Sequence, residues 1–211
     1  MRVAGVDGCP GGWVAVVLDD DGPYGLVTRS FAGVLDAIGD CACVAVDMPI
    51  GLPASGLGRA ADREARAMLG RAGARVFPTP SRQALAAPDY AAARAVEPSL
   101  SAQSFALGAK ILEVDASGPP PGVVEVHPDL AFAVLAGAPL SSKKRWNGAM
   151  ARLAILSAHG IVVPSPLVGG DAGIDDAIDA AACALVARLH VGGRTRALGD
   201  PSVGVIWAPQ G

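Results

Sequence analysis

The sequence predicts an α/β fold: a mixed β-sheet with helices on both faces. Three observations point to it. The first thirty residues read as three short apolar strands separated by Gly/Pro turns, VAGVD, WVAVVLD and a third from 24 to 30. Continuous apolar runs then recur at 42–48 and 123–128, of the kind a sheet covered on both faces requires. Between and after them lie stretches with helical spacing.

Taken in order, residues 3–7 and 13–19 are joined by Gly8–Gly12, too short for a crossover, so they pair as an antiparallel hairpin. Residues 24–30 continue the meander after Asp21-Gly22-Pro23. Phe31, Val34, Leu35 and Ile38 share a helix face, and Gly39 ends it. A Gly/Pro loop after Asp47 leads to an arginine-bearing helix at about 59–70. The Pro-punctuated VFPTPSR follows, then helices near 88–96 and 101–116. Helices are also predicted near 128–136, 146–159 and 173–190, and VGVIW near 203–207 reads as a short last strand. A meander, a helix, a strand, helices, a strand and more helices is the ribonuclease-H-like order. The expectation is a three-layer fold with a mixed five-stranded sheet, one domain over 1–211 with a helical insertion at about 59–118.

Composition bounds the function. With 51% hydrophobic and 18% charged residues the chain is not disordered, and no uncharged apolar run approaches the roughly 20 residues of a membrane span. Asp7 and Gly8 interrupt the first apolar run, so it does not read as a secretion signal. Cys9, Cys41, Cys43 and Cys183 lack CxxC metal spacing and read as small hydrophobes in a reducing, cytoplasmic compartment. The net charge of −3 argues against a protein that coats long nucleic acid. Locally, however, Arg59, Arg63, Arg66, Arg71, Arg75 and Arg82 face only Asp62 and Glu64, and Lys143, Lys144 and Arg145 form a second basic cluster. Such segregation suits an anionic ligand, and equally a solvated arginine-rich helix face.

The acids narrow the chemistry. Asp7 closes the first apolar strand and Asp47 the fourth, and an ionised carboxylate there needs a partner. Glu125 lies in VVEVHP, with His127 on the same face. Asp176 and Asp179 stand at i and i+3 near the start of the last helix. Four separate segments thus each deliver an acid to what would be one spot. Clustered carboxylates raise each other's pKa unless a cation intervenes, and hard oxygen donors suit Mg²⁺ or Mn²⁺. Two such ions could activate water and stabilise the leaving oxygen of a phosphodiester. In the plainer reading Asp7 and Asp47 cap turns, Asp171 or Asp175 caps the last helix, Glu125 pairs with an arginine from 63–82, and His127 is a strand-end hydrogen-bonder. Trp13 reads as core.

GVDGCPGGW, VDMPIGLP, REARAMLGRAGARVFPTPSR, SAQSFALGAKILEVD, VEVHPDLAFAVLAGAPLSSKK and DDAIDAA resemble the signature blocks of an uncharacterised bacterial and archaeal family of predicted nucleases with ribonuclease-H-like fold. The resemblance runs from about residue 3 to 190. The closing third is also similar to Holliday-junction resolvases. These resemblances imply metal-binding acids at Asp7, Asp47, Asp176 and Asp179, with Glu125 as a further catalytic acid. Gly8 would admit phosphate or metal to the backbone. Arg63, Arg66, Arg82, Lys143 and Lys144 are the candidate phosphate contacts, the lysines because a helix is expected to begin at Ser141-Ser142. The expected function is a two-metal nuclease acting on DNA or RNA, with no membrane partner and a homodimer left open. The alternatives are an actin- or sugar-kinase-like ATPase, in which D-G-x-x-G-G holds phosphate, and a catalytically silent binding module.

Overall fold

Two long apolar runs meeting at Pro10-Gly11 can only fold back on each other. In the computed structural model, which describes residues 1–211, β1 (Val3–Cys9) pairs antiparallel with β2 (Gly12–Asp19), and β2 with β3 (Gly22–Thr28). Gly11 takes φ +79°, which the tight turn demands. Helix α1 (Phe31–Ile38) opens on Ser30, whose Oγ accepts the Gly33 N–H at 3.1 Å. Strand β4 (Val44–Val46) is fully buried and parallel to both β1 and β5 (Val123–Glu125).

The intervening segment carries α2 (Ala60–Leu69), a 3-10 turn at Gly70–Arg75, α3 (Arg82–Leu85), α4 (Tyr90–Val96), α5 (Ala102–Ala106) and α6 (Gly108–Ala116). After β5 come α7 (Pro128–Ala136), α8 (Trp146–Ala158), α9 (Ile174–Val191), β6 (Thr195–Asp200) and β7 (Gly204–Pro209). The sheet order is β3-β2-β1-β4-β5-β7-β6. An antiparallel meander continued by parallel β4 and β5 is the ribonuclease-H-like arrangement expected from the element order, now with seven strands in place of five. β6 escapes sequence reading because TRALGD buries only Thr195 and Leu198 and shows no alternation. The helix expected at 101–116 is two, broken at Leu107.

The chain divides into two compact units, one of residues 1–48, 120–196 and 207–211, the other of 49–119 and 197–206. The second is organised by a buried ion pair. Asp62 accepts from the Arg59 guanidinium and amide and from Thr79, while Arg59 reaches the Ile50 and Gly51 carbonyls at 2.9 and 3.2 Å. With all of these donors and acceptors matched, the pair escapes the penalty of an uncompensated buried charge.

In the first unit α9 lies on β1 and β2, and nearly every residue from Ala177 to Leu189 is buried. The contact is closest at Gly5. A Cβ there would stand 2.0 Å from the Ala184 nitrogen and 2.1 Å from the Ala180 oxygen. Gly5 on the strand and alanines on the helix thus remove side chains from the seam, and the two backbones touch. Gly5→Ala should therefore cost on the order of 3 kcal/mol, read as a lowered midpoint in urea unfolding; an unchanged midpoint would contradict this packing.

Candidate metal centre

Register brings the first two acids together. Val6 of β1 pairs with Val46 of β4, and the Asp47 N–H donates to the Val6 carbonyl at 3.0 Å, so Asp7, within β1, and Asp47, just past the end of β4, lie side by side. Gly5 and Asp7 share a strand face, two residues apart. The helix that closes on Gly5 therefore carries Asp179 to Asp7. Carboxylate oxygens of Asp7, Asp47 and Asp179 all lie within 4.8 Å of one another.

The remaining predicted acids take other places. Glu125 is buried and level with Val46 in the β4–β5 register. Alternation therefore directs it to the face opposite Asp47, outside the triad, though near enough to raise the Asp47 pKa. Asp176, one turn before Asp179, is half-buried near the start of α9, where it raises the pKa of Asp7 without joining the triad. The α9 N-cap is Gly173 rather than Asp171 or Asp175, and Asp171 accepts the Ala172 N–H. His127 caps α7, its Nδ1 accepting the Leu130 N–H at 3.4 Å, in keeping with a strand-end hydrogen-bonder. Trp13 is buried against Phe31, as core.

Electrostatics set the character of the triad. Burial pushes Asp47 and Asp179 up to about 7; Lys143 opposes the rise in both, while Asp129 adds to it in both and Asp47 adds to it in Asp179. Asp7 is raised well above the ordinary range by burial and then by Asp47 and Asp179. Its Oδ1 accepts the Gly8 N–H at 2.7 Å, so a turn amide does supply one partner. Lys143 donates to Asp179 Oδ2; burial would lower its pKa, but Asp179, Asp7 and Asp47 hold it above the usual value. The other oxygen of Asp179, Oδ1, is buried with no hydrogen-bond partner. Once all ionised, three carboxylates and one ammonium leave two negative charges, the charge that one divalent ion cancels.

The donor set fits such an ion. Octahedral Mg²⁺ with oxygen bonds of about 2.0–2.1 Å separates its ligands by roughly 3–4 Å, inside the 4.8 Å limit that these oxygens share. All-oxygen donors favour Mg²⁺ or Mn²⁺ over zinc. The unpartnered buried oxygen of Asp179 is an acceptor that a cation would satisfy.

Sequence reasoning missed two members of this neighbourhood. Asp129, in the first turn of α7, pairs with the Arg152 guanidinium, which is fully buried and also bonds the Ser141 and Gly148 carbonyls at 2.8 and 2.9 Å. The one available signal was a lone arginine in the apolar run MARLAIL. No helix begins at Ser141-Ser142; α8 starts at Trp146, behind a turn closed by Arg145 N–H to the Ser142 carbonyl. Lys144 is exposed. Of the candidate arginines, all in the second unit, Arg82 pairs with Asp115, Arg66 donates to the Val76 carbonyl at 2.6 Å, and Arg63 is exposed.

A family model covers residues 5–203, nearly the whole chain. The protein belongs to the family described as "Protein of unknown function (DUF429)". No curated protein matches it. Among solved structures it is similar to the one titled "Thermus thermophilus RuvC structure", at 17% identity and a TM-score of 0.39, over 92% of this chain and 97% of that one. No helix of this DUF429 chain is long and apolar enough to cross a membrane.

The raised carboxyl values make stability pH-dependent in a definite sense. Asp47 and Asp179 move from the usual 3.8 to about 7 in the folded chain. Between these values the unfolded chain has released protons that the folded chain retains, so stability falls as pH rises through this range. Urea midpoints measured in EDTA should trace that decline, and Asp179→Asn should flatten it; a rise over the same range would contradict the assignment.

Proposed function

We propose that this protein is a metal-dependent nuclease that hydrolyses phosphodiester bonds in DNA or RNA at Asp7, Asp47 and Asp179. One observation carries the reading: three carboxylates from separate elements bring oxygens within 4.8 Å of one another, and one oxygen of Asp179 is buried without a hydrogen-bond partner. That convergence opposes folding unless it serves a cation. Mg²⁺ or Mn²⁺ held there would polarise a phosphoryl oxygen and lower the pKa of water.

The chain's own residues do the rest. Asp7 and Asp47, fixed by paired strand ends, set the position of the phosphate. Asp179 closes the site from α9. Lys143 keeps a positive charge among the acids, and with Asp179 given over to a cation it would be free to hold the phosphate. A second ion would draw on Asp176, one turn before Asp179, while Glu125, on the face opposite Asp47, bears on the site through its charge. The resemblance of the signature blocks to predicted nucleases supports the same reading.

Saturating Mg²⁺ or Mn²⁺, at about a hundred times its Kd, should raise the melting temperature by about 5–10 °C. Asp7→Asn should remove that rise together with metal-dependent cleavage in a screen of single-stranded, duplex and branched DNA and RNA. No cleavage of any substrate, with the thermal shift intact, would leave a metal-loaded binding module. Stabilisation by ATP but not by metal alone would favour the ATPase reading.

A further inference from the structure

Lys143 ends one side of a short, firmly held turn whose other side faces outward. The Arg152 guanidinium holds the Ser141 carbonyl, Arg145 N–H closes onto Ser142, and the Lys144 N–H donates to Ser142 Oγ at 3.3 Å. Gly148 completes the anchorage: a Cβ there would stand 2.1 Å from the Ser142 carbonyl oxygen, so only glycine lets α8 press this closely on the turn. Lys143 points inward to Asp179, while Lys144, Arg145 and Trp146 stand in solvent.

Trp146 is 77% exposed, the most exposed large apolar side chain in the molecule, whereas Trp13 is enclosed and Trp207 half-buried. Met150, one turn along α8 and 42% exposed, extends the same apolar strip. A bare indole on a rigid turn costs solubility unless something covers it. Its neighbours indicate what that is. Two exposed cations flank it and suit a phosphate backbone. Lys143 at the triad is three residues away, at most about 11 Å of chain, or some three stacked bases at ~3.4 Å each. A planar aromatic ring beside cations is the arrangement that receives a nucleobase face in single-strand binders.

From this we infer that Trp146 is a stacking platform for an unpaired base within about three nucleotides of the scissile phosphate, with Lys144 and Arg145 on the adjoining backbone. The inference rests on the nuclease reading and deepens it: the substrate is single-stranded, or a duplex with an unpaired base near the cut. A base inside a blunt duplex is already stacked on both faces and cannot occupy the platform.

Binding is measured apart from cutting, by fluorescence anisotropy in the Asp7→Asn background with Mg²⁺, using labelled oligothymidylate, oligouridylate and a blunt DNA duplex. Trp146→Ala should weaken binding of at least one single strand by about fivefold to hundredfold, the cost of one lost base stack, and leave the duplex within twofold. Trp146→Phe should restore most of the loss, and single strand should quench tryptophan emission of the Asp7→Asn chain but not of its Trp146→Phe variant. Unchanged single-strand affinity in Trp146→Ala overturns the inference. So does a variant that loses self-association while binding oligonucleotides as before, which would make the strip a protein contact. If native protein cuts with metal and Trp146→Ala cuts and binds equally well, the nuclease reading stands and the platform falls. If Trp146→Ala loses single-strand binding but native protein cuts nothing, the platform stands and the nuclease reading falls.

Discussion

The backbone of α9 rests directly on β1 at Gly5, and the position of the acids follows from that contact. A helix normally stands off a sheet by the thickness of two side-chain layers. Here glycine on one side and alanines on the other remove both layers. Asp7 lies two residues along the same strand face, and Asp179 immediately precedes the Ala180 carbonyl that marks the closest approach. The seam that closes the core also brings one acid to the other. Asp47 joins them because β4 ends opposite Val6, which sets Asp47 beside Asp7.

Such proximity opposes folding. Three carboxylates losing solvent together favour the protonated forms, and one lysine answers only part of the charge. The surrounding apolar layers, continuous from Val3 through α9, supply the stability against which this local repulsion is set. Lys143 and the Asp129–Arg152 pair, its guanidinium buried, then divide the work: the pair anchors the turn, and the lysine on that turn enters the cluster. In a site held this way the oxygens are already in place, the preorganisation that the proposed cation would need.

What could be read from the sequence was whatever depends on local pattern. Apolar runs ending in Asp7 and Asp47, the meander turns, the i,i+3 acids of the last helix and its alanine stripe are visible as residue spacing. Glu125 shows the limit of such reading: its position in an apolar strand was plain, but its face depended on register against β4, which no local pattern encodes. The basic residues show another. Arg59 and Lys143 look alike as charges in a string, yet one braces a loop and the other enters the acid cluster, because ion pairing is settled by tertiary neighbours. Arg152, buried far along the chain from Asp129, and β6, held in a hairpin with little apolar alternation, were hidden for the same reason.

If these three carboxylates together hold one divalent cation, crystals of the protein grown with Mn²⁺ and measured for anomalous scattering will reveal it. A peak is expected bonded at about 2.0–2.2 Å to an oxygen of each of Asp7, Asp47 and Asp179, the formerly unpartnered Asp179 oxygen among them. Crystals in saturating Mn²⁺ that show no peak there, with Lys143 alone occupying the cluster, would contradict it.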